Sequence, residues 1–156
     1  MDSGAPRSAI VGYHQDDEGH WVAELACGHG QHVRHSPPFQ DRAWVTEAAG
    51  REAHLGTNLI CPFCRMPKLP EGMTEYKRVG PFDPHTVPKG LLSSHRLKAG
   101  VWGEIVVTEG RVIYVLEDDG DFGLPLRPGV VGTVAPERPH HVEPQPGCSF
   151  YVRFLR

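Results

Sequence analysis

The sequence holds no apolar run of the roughly 20 residues that a bilayer-spanning helix needs. Met1 to Arg7 lack the apolar stretch of a secretory signal, so a cytoplasmic setting is expected. Neither sign of charge dominates. The formal net charge is −3 with histidines neutral, and no basic field argues for nucleic acid. Cysteines number only four, and in a cytoplasmic setting disulfides are uncommon. Their presence therefore points to metal or redox chemistry before crosslinks. Internal repeats are absent. Apolar burial is also limited: two modules of about 70–80 residues would be marginal on their cores alone. Such modules need a staple, which is a disulfide, a metal or a partner surface.

What is present in quantity is histidine (10), glycine (18) and proline (15). That composition favours turns and short strands, and the fold class expected is mainly β. Ala9 to Tyr13 and Trp21 to Leu25 read as two strands joined by the polar turn His14 to His20. The resulting hairpin delivers Cys27 just past its second strand. Cys27 to Pro38 reads as loop. Thr46 to Leu55 reads as a short helix capped by Gly56, with Gly50 arguing against it. Met66 to Met73, with two prolines and a glycine, is the expected boundary between a first module, 8–70, and a second, 76–156. Beyond it, Pro88 to Ser94 reads as one helical turn. Val101–Glu109, Arg111–Leu116, Val130–Val134 and Phe150–Leu155 read as strands of a barrel or sandwich.

Cys27-Gly-His29 and Cys61-Pro-Phe-Cys64 carry the most specific chemistry. Structural zinc takes four tetrahedral nitrogen or sulfur ligands, and two short knuckles supply two each. A redox dithiol at Cys61 and Cys64 would open a helix, which Met66-Pro67 and Leu69-Pro70 cannot sustain. Structural zinc is therefore the expected cofactor of the first module. His32 and His35 follow closely and stay open as additional ligands or as groups beside the zinc. A helix would align them with His29 on one face, but Gly30 and Pro37-Pro38 oppose one.

In the second module, His95, His140, His141 and Glu143 sit beside strand ends. A small barrel can bring two histidines and a carboxylate around a divalent ion, zinc or iron, with positions left open. His140 and His141 are adjacent, so on a strand only one faces inward. The residues themselves leave metal binding here open. Arg96, Lys98 and Arg138 near the expected mouth are candidates to attract an oxyanion or plain surface charges. Cys148 reads as a buried or edge thiol.

Residues from about Tyr76 to Arg156 resemble the TehB/YeaR-like, tellurite-resistance-related, cupin-like domain. The resemblance runs through His95-Arg-Leu-Lys98, Gly100-Val-Trp102-Gly103, Val106 to Val112, Pro136 to Glu143 and Phe150-Tyr151-Val152. It implies a cupin-like β-barrel with His95 and His140 as metal ligands and Glu143 as a third candidate. It also implies a homodimer as the usual assembly. No methyl-donor site is evident, so methylation of tellurite by this chain is not expected. Residues from about Ile10 to Gly72 resemble a bacterial zinc-ribbon-like domain family of unknown function. That match rests on Cys27-Gly-His29-Gly-Gln-His32-Val-Arg-His35 and Cys61-Pro-x-Cys64, with Gly12 to Asp16, Trp21 to Leu25, Trp44 and Gly56.

Together these readings imply a metal-binding, stress-associated cytoplasmic protein, linked to tellurite, other oxyanion or nitrosative stress. Its barrel would bind a metal or small anion. Two other readings stand beside it: a metal-dependent cupin enzyme, and a zinc module that binds nucleic acid or a protein partner. No nucleophile–base pair or cofactor fingerprint names a reaction. The basic residues of the first module are scattered, which ranks nucleic acid last.

Overall fold

The first strand and its neighbours explain how so short a front half is organised. The computed structural model describes residues 6–33 and 42–156 and divides the chain into two compact units, Met1–Arg65 and Met66–Arg156. In the first unit, β1 (Arg7–Gln15) pairs antiparallel with β2 (Trp21–Leu25). Asp16 opens the turn between them, and its carboxylate accepts the backbone N–H groups of Glu18 and His20 at 3.0 and 2.9 Å. An aspartate that closes its own turn in this way needs no help from the core. β3 (Gly30–His32) adds to the free edge of β2, so the expected loop over Cys27 to Pro38 contains a short strand. Pairing with β2 supplies its backbone partners, a gain that local sequence does not display.

After the 3-10 turn Ala43–Thr46 comes α1 (Ala48–Ala53), and then β4 (Asn58–Ile60), which pairs with β1. The sheet order is β3-β2-β1-β4. Gly50, which argued against a helix, is required by it. A Cβ there would collide with the Trp44 carbonyl oxygen, so glycine lets the preceding turn approach the helix. Trp44 then stacks on His54, with ring centroids 3.7 Å apart. Ile10, Ala23, Leu25, Val33, Val45 and Cys61 form the buried core of this unit.

The second unit is built from seven strands: β5 (Glu75–Phe82), β6 (Trp102–Glu109), β7 (Val112–Leu116), β8 (Phe122–Leu126), β9 (Gly132–Val134), β10 (His140–Pro144) and β11 (Ser149–Leu155). They form two antiparallel sheets, β5-β11-β6-β9 and β10-β7-β8. The chain changes sheet between β6 and β7, between β8 and β9, and at each later connection. From β8 onward, consecutive strands therefore lie in alternate sheets. Ile105, Val107, Tyr114, Leu124, Leu126, Val142 and Phe150 fill the core. The Tyr114 hydroxyl, on one wall, donates to the Thr133 carbonyl on the other at 2.9 Å. The protein is mainly β, with a Cys/His cluster in the first unit and a β-rich second unit.

Three strands of this unit escaped the sequence reading. β8 contains Pro125 and lies at a sheet edge, where a missing N–H is tolerated. β5 is a mostly exposed edge strand with no alternating pattern. β10 begins with two histidines and ends at Pro144, so its composition is that of a turn. The helical turn expected over Pro88 to Ser94 is a 3-10 turn, Lys89–Leu92. Among the described residues, no helix is long and apolar enough to cross a membrane.

Candidate metal centre and ligand cavity

The sheet order of the first unit brings its two knuckles together. β1 lies between β2 and β4 and runs antiparallel to both. The ends of β2 and β4 therefore meet at the start of β1. From β2, a tight turn places Cys27 and His29, with the Gly28 N–H donating to the Leu25 carbonyl at 2.9 Å. The Ser8 hydroxyl on β1 accepts the Cys27 N–H at 2.9 Å and fixes this turn. From β4, Cys61 leads into the 3-10 turn Pro62–Arg65, and the Cys64 N–H reaches the Cys61 carbonyl at 3.2 Å. The Cys61 N–H is held by the Pro6 carbonyl at 3.0 Å.

Four ligand atoms converge here, all within 4.8 Å of one another. Cys27 Sγ lies 3.7 Å from Cys61 Sγ, and His29 Nδ1 lies 3.5, 3.3 and 3.5 Å from the sulfurs of Cys27, Cys61 and Cys64. Around a tetrahedral zinc, Zn–S and Zn–N bonds of normal length give sulfur–sulfur edges of about 3.8 Å and sulfur–nitrogen edges of about 3.6 Å. The residues present thus fit a Cys₃His zinc site with no position left open. All four cysteines are free thiols, so no disulfide competes for the sulfurs. The electrostatics agree. Burial resists ionisation of Cys27, yet hydrogen bonding with Ser8 and from the His29 backbone brings its thiol down to about 6. Burial, with the neighbouring thiols, pushes Cys64 up to about 12, and burial also raises Cys61. Three thiolates in this space need a cation between them.

His32 is not among the four. Its Nε2 lies 2.8 Å from Asp16 Oδ2, tying β3 to the hairpin turn. Hydrogen bonds from His32 and from the His20 backbone hold the Asp16 carboxyl down at about 2. The expectation for His35 falls outside the described residues.

In the second unit, a cavity of about 520 Å³ opens between the two sheets. Val79 and Phe82 of β5, Ile105 of β6, Val134 of β9, Val142 of β10 and Phe154 of β11 supply its apolar walls, and Leu91 of the 3-10 turn also lines it. His95 and His140 both line it, with ring centroids 5.3 Å apart and planes perpendicular. A two-way backbone bridge joins them: the His95 N–H reaches the His140 carbonyl at 2.7 Å, and the return bond is 3.0 Å. His140 is buried, and burial lowers its pKa below the usual histidine range. Its ring also stands edge-on to Tyr114, at 5.8 Å. His95 Nδ1 is buried and finds no hydrogen-bond partner among the described residues.

Glu143 does not join this pair, which corrects the expected His, His and Glu set. It lies on β10 an odd number of residues from His140, so it occupies the opposite face of the strand. There its carboxylate lies 3.1 Å from His141 Nε2, while His141 Nδ1 lies 2.5 Å from Glu117. Among the described residues, no Cys, Asp, Glu or further His lines the cavity, so a divalent ion there would have two protein ligands. Arg138 is engaged by Asp118 through two hydrogen bonds of 2.8 Å, and neither it nor Arg96 nor Lys98 lines the cavity. Lys77 does, and sequence reasoning missed it, as it missed Ser8, Tyr114 and Glu117. No local pattern marks these four, because their roles arise from contacts between distant strands.

Residues 77–152 match the model of the TehB-like domain, and residues 11–68 match that of a protein of unknown function, DUF3565. No curated protein matches the chain. Among solved structures it is similar to a protein from E. coli strain K12, at 22% identity and a TM-score of 0.53, over 58% of this chain and 97% of that one. It is also similar to TehB from Haemophilus influenzae, at 22% identity and a TM-score of 0.50, over 55% of this chain and 32% of that one. The chain thus spans about a third of TehB, and at this identity the likeness is one of fold.

Proposed function

We propose that this is a two-module ligand-binding protein, in which a zinc-stapled unit accompanies a cupin-like, TehB-like barrel that captures a small molecule in the cytoplasm. One observation carries the reading: a cavity of about 520 Å³ whose apolar walls converge on His95 and His140. Concave, largely apolar cavities with a few converging polar groups are where small molecules bind. The TehB-like match supports a link to tellurite or other oxyanion stress. In the first unit, Cys27, His29, Cys61 and Cys64 would hold zinc. Bound there, the ion supplies folding energy and no open coordination position for chemistry.

A second reading, a metal-dependent cupin enzyme, is favoured by one detail. His140 Nδ1 lies 3.1 Å from the Arg138 carbonyl, an outer hydrogen bond that metal-ligating histidines commonly make. Metal analysis of the purified protein separates the two. One zinc per chain, released only with loss of the first unit's fold, is the expected result. A second ion, lost on His95→Ala or His140→Ala, would replace the binding reading with the enzyme reading.

A further inference from the structure

His140 fixes the chemistry of whatever enters the cavity. A carbonyl oxygen can only accept, so the 3.1 Å contact between His140 Nδ1 and the Arg138 carbonyl places the proton on Nδ1. In the neutral ring, Nε2 is then a bare acceptor. Burial favours the neutral form over the charged one, and among the described residues the ring's side-chain hydrogen bond is made through Nδ1, which leaves Nε2 to a ligand. His95 stands perpendicular to the ring on one side and Tyr114 on another, so its orientation is set.

Resting on the ligand-binding reading above, we infer that the cavity takes an uncharged organic molecule, with a ring-sized or branched apolar body and one hydroxyl head, whose proton is donated to His140 Nε2.

The walls argue against the alternatives. A bare oxyanion needs several donors to replace its hydration. Here, among the described residues, the one cationic side chain in the lining is Lys77, on the edge strand β5, and Arg138 is already paired with Asp118. A divalent ion wants three or four protein ligands, and the lining offers two. The volume, about 520 Å³, lies within the range of roughly 300–1,000 Å³ typical of organic ligands. An apolar body fills such walls, and a hydroxyl satisfies the His140 Nε2 acceptor beside them.

The test uses the full-length, zinc-loaded protein and calorimetric titration with four probes: para-propylphenol, its methyl ether para-propylanisole, sodium tellurite and zinc chloride. The phenol should bind saturably and about tenfold more tightly than the ether, the worth of one buried hydrogen bond with its acceptor otherwise unsatisfied. His140→Leu should bring the two within about twofold by weakening the phenol alone. Leu91→Trp, on the 3-10 turn, should block both by filling the cavity. The phenol–ether ratio is read on the unaltered protein, so it survives a variant that fails to fold. Equal binding of phenol and ether would overturn the inference. Tellurite bound at His95 and His140 in place of the phenol would overturn it while leaving the ligand-binding reading intact, whereas zinc bound there would overturn it and replace that reading with the enzyme reading. If no probe is taken up in the cavity, both fall.

Discussion

The two units solve the same problem with different means. Each must hold its sheet against solvent, and each brings side chains distant in sequence together, three cysteines and His29 in the first and His95 with His140 in the second. The first unit has a small buried core of Ile10, Ala23, Leu25, Val33, Val45 and Cys61, and one of those residues is a ligand of the cage. The second has two facing sheets with a full complement of buried branched and aromatic side chains. Its His95 and His140 can therefore be spared for a cavity, whereas His29 of the first unit joins the cysteine cluster. Ligand number follows the same division. Four donor atoms at tetrahedral spacing make a closed site. Two imidazoles lining an apolar cavity do not make a closed site.

The largest expected effect breaks this contrast from the first side. Cys61→Ser removes a ligand that is also core, so zinc binding and the fold of the first unit should go together. In a heteronuclear NMR spectrum, resonances of residues 7–65 should collapse toward random-coil positions while those of the second unit stay dispersed. Retained zinc and an unchanged spectrum would remove the staple from the account. The matching change in the second unit, His95→Ala, should leave that unit folded, because its core does not depend on the pair.

How much of this was legible follows the same line. The two knuckles could be read because each is a local pattern, and their convergence followed from a hairpin and a downstream turn. Hydrophobic runs marked β6, β7, β9 and β11, but β10, with its His140-His141 start and Pro144 end, did not look like a strand. That omission caused the error over Glu143. The alternation that separates His140 from His141 separates it from Glu143 too, once the run is known to be extended. His95 and His140 were singled out by resemblance. Their meeting depends on a backbone bridge that no local pattern encodes. Gly50 shows the reverse case: a residue that local propensity counts against a helix is demanded by Trp44 packed against it.

Gly50→Ala sharpens that point and is the next largest effect. Propensity alone predicts a gain of about 1 kcal/mol from replacing a helical glycine. The added Cβ meets backbone at Trp44, not a flexible side-chain end, so strain of about 1–3 kcal/mol should outweigh the gain. Net destabilisation of the first unit, and loss of Trp44 order in fluorescence, is the expected outcome. A stabilised variant would show that the turn can back away from the helix.

In the second unit, the corresponding single-contact change should cost less. Tyr114→Phe keeps the ring in the core and deletes the hydroxyl that bridges the two sheets to Thr133. One partly buried carbonyl loses this donor, worth about 1 kcal/mol. Denaturant unfolding of the second unit should show that shift with no change in zinc content. A larger loss would mean that the bridge between sheets, not their apolar faces, holds the cavity open.

The smallest effect concerns His141, on the outer face of β10. Partial burial opposes its charge, but hydrogen bonds to Glu117 and Glu143 outweigh that and raise its pKa above the usual histidine value. Glu117 is correspondingly held below the usual carboxylate range, chiefly by His141. A group with a raised folded-state pKa contributes stability that is fully present below its unfolded value, near 6.5, and is lost as pH rises through the folded value. The His141 contribution should therefore fade on going from mildly acidic to mildly alkaline solution, against the opposite contribution of His140, whose pKa burial lowers, and His141→Gln should remove the His141 share. The first unit should show the opposite trend with acid, because thiolates surrender zinc as they are protonated. Read from separate NMR probes in each unit, the change in pH slope on His141→Gln should appear in the second unit alone, as a carboxylate-clamped imidazole there requires. The same change in both units would mean that the two halves unfold as one.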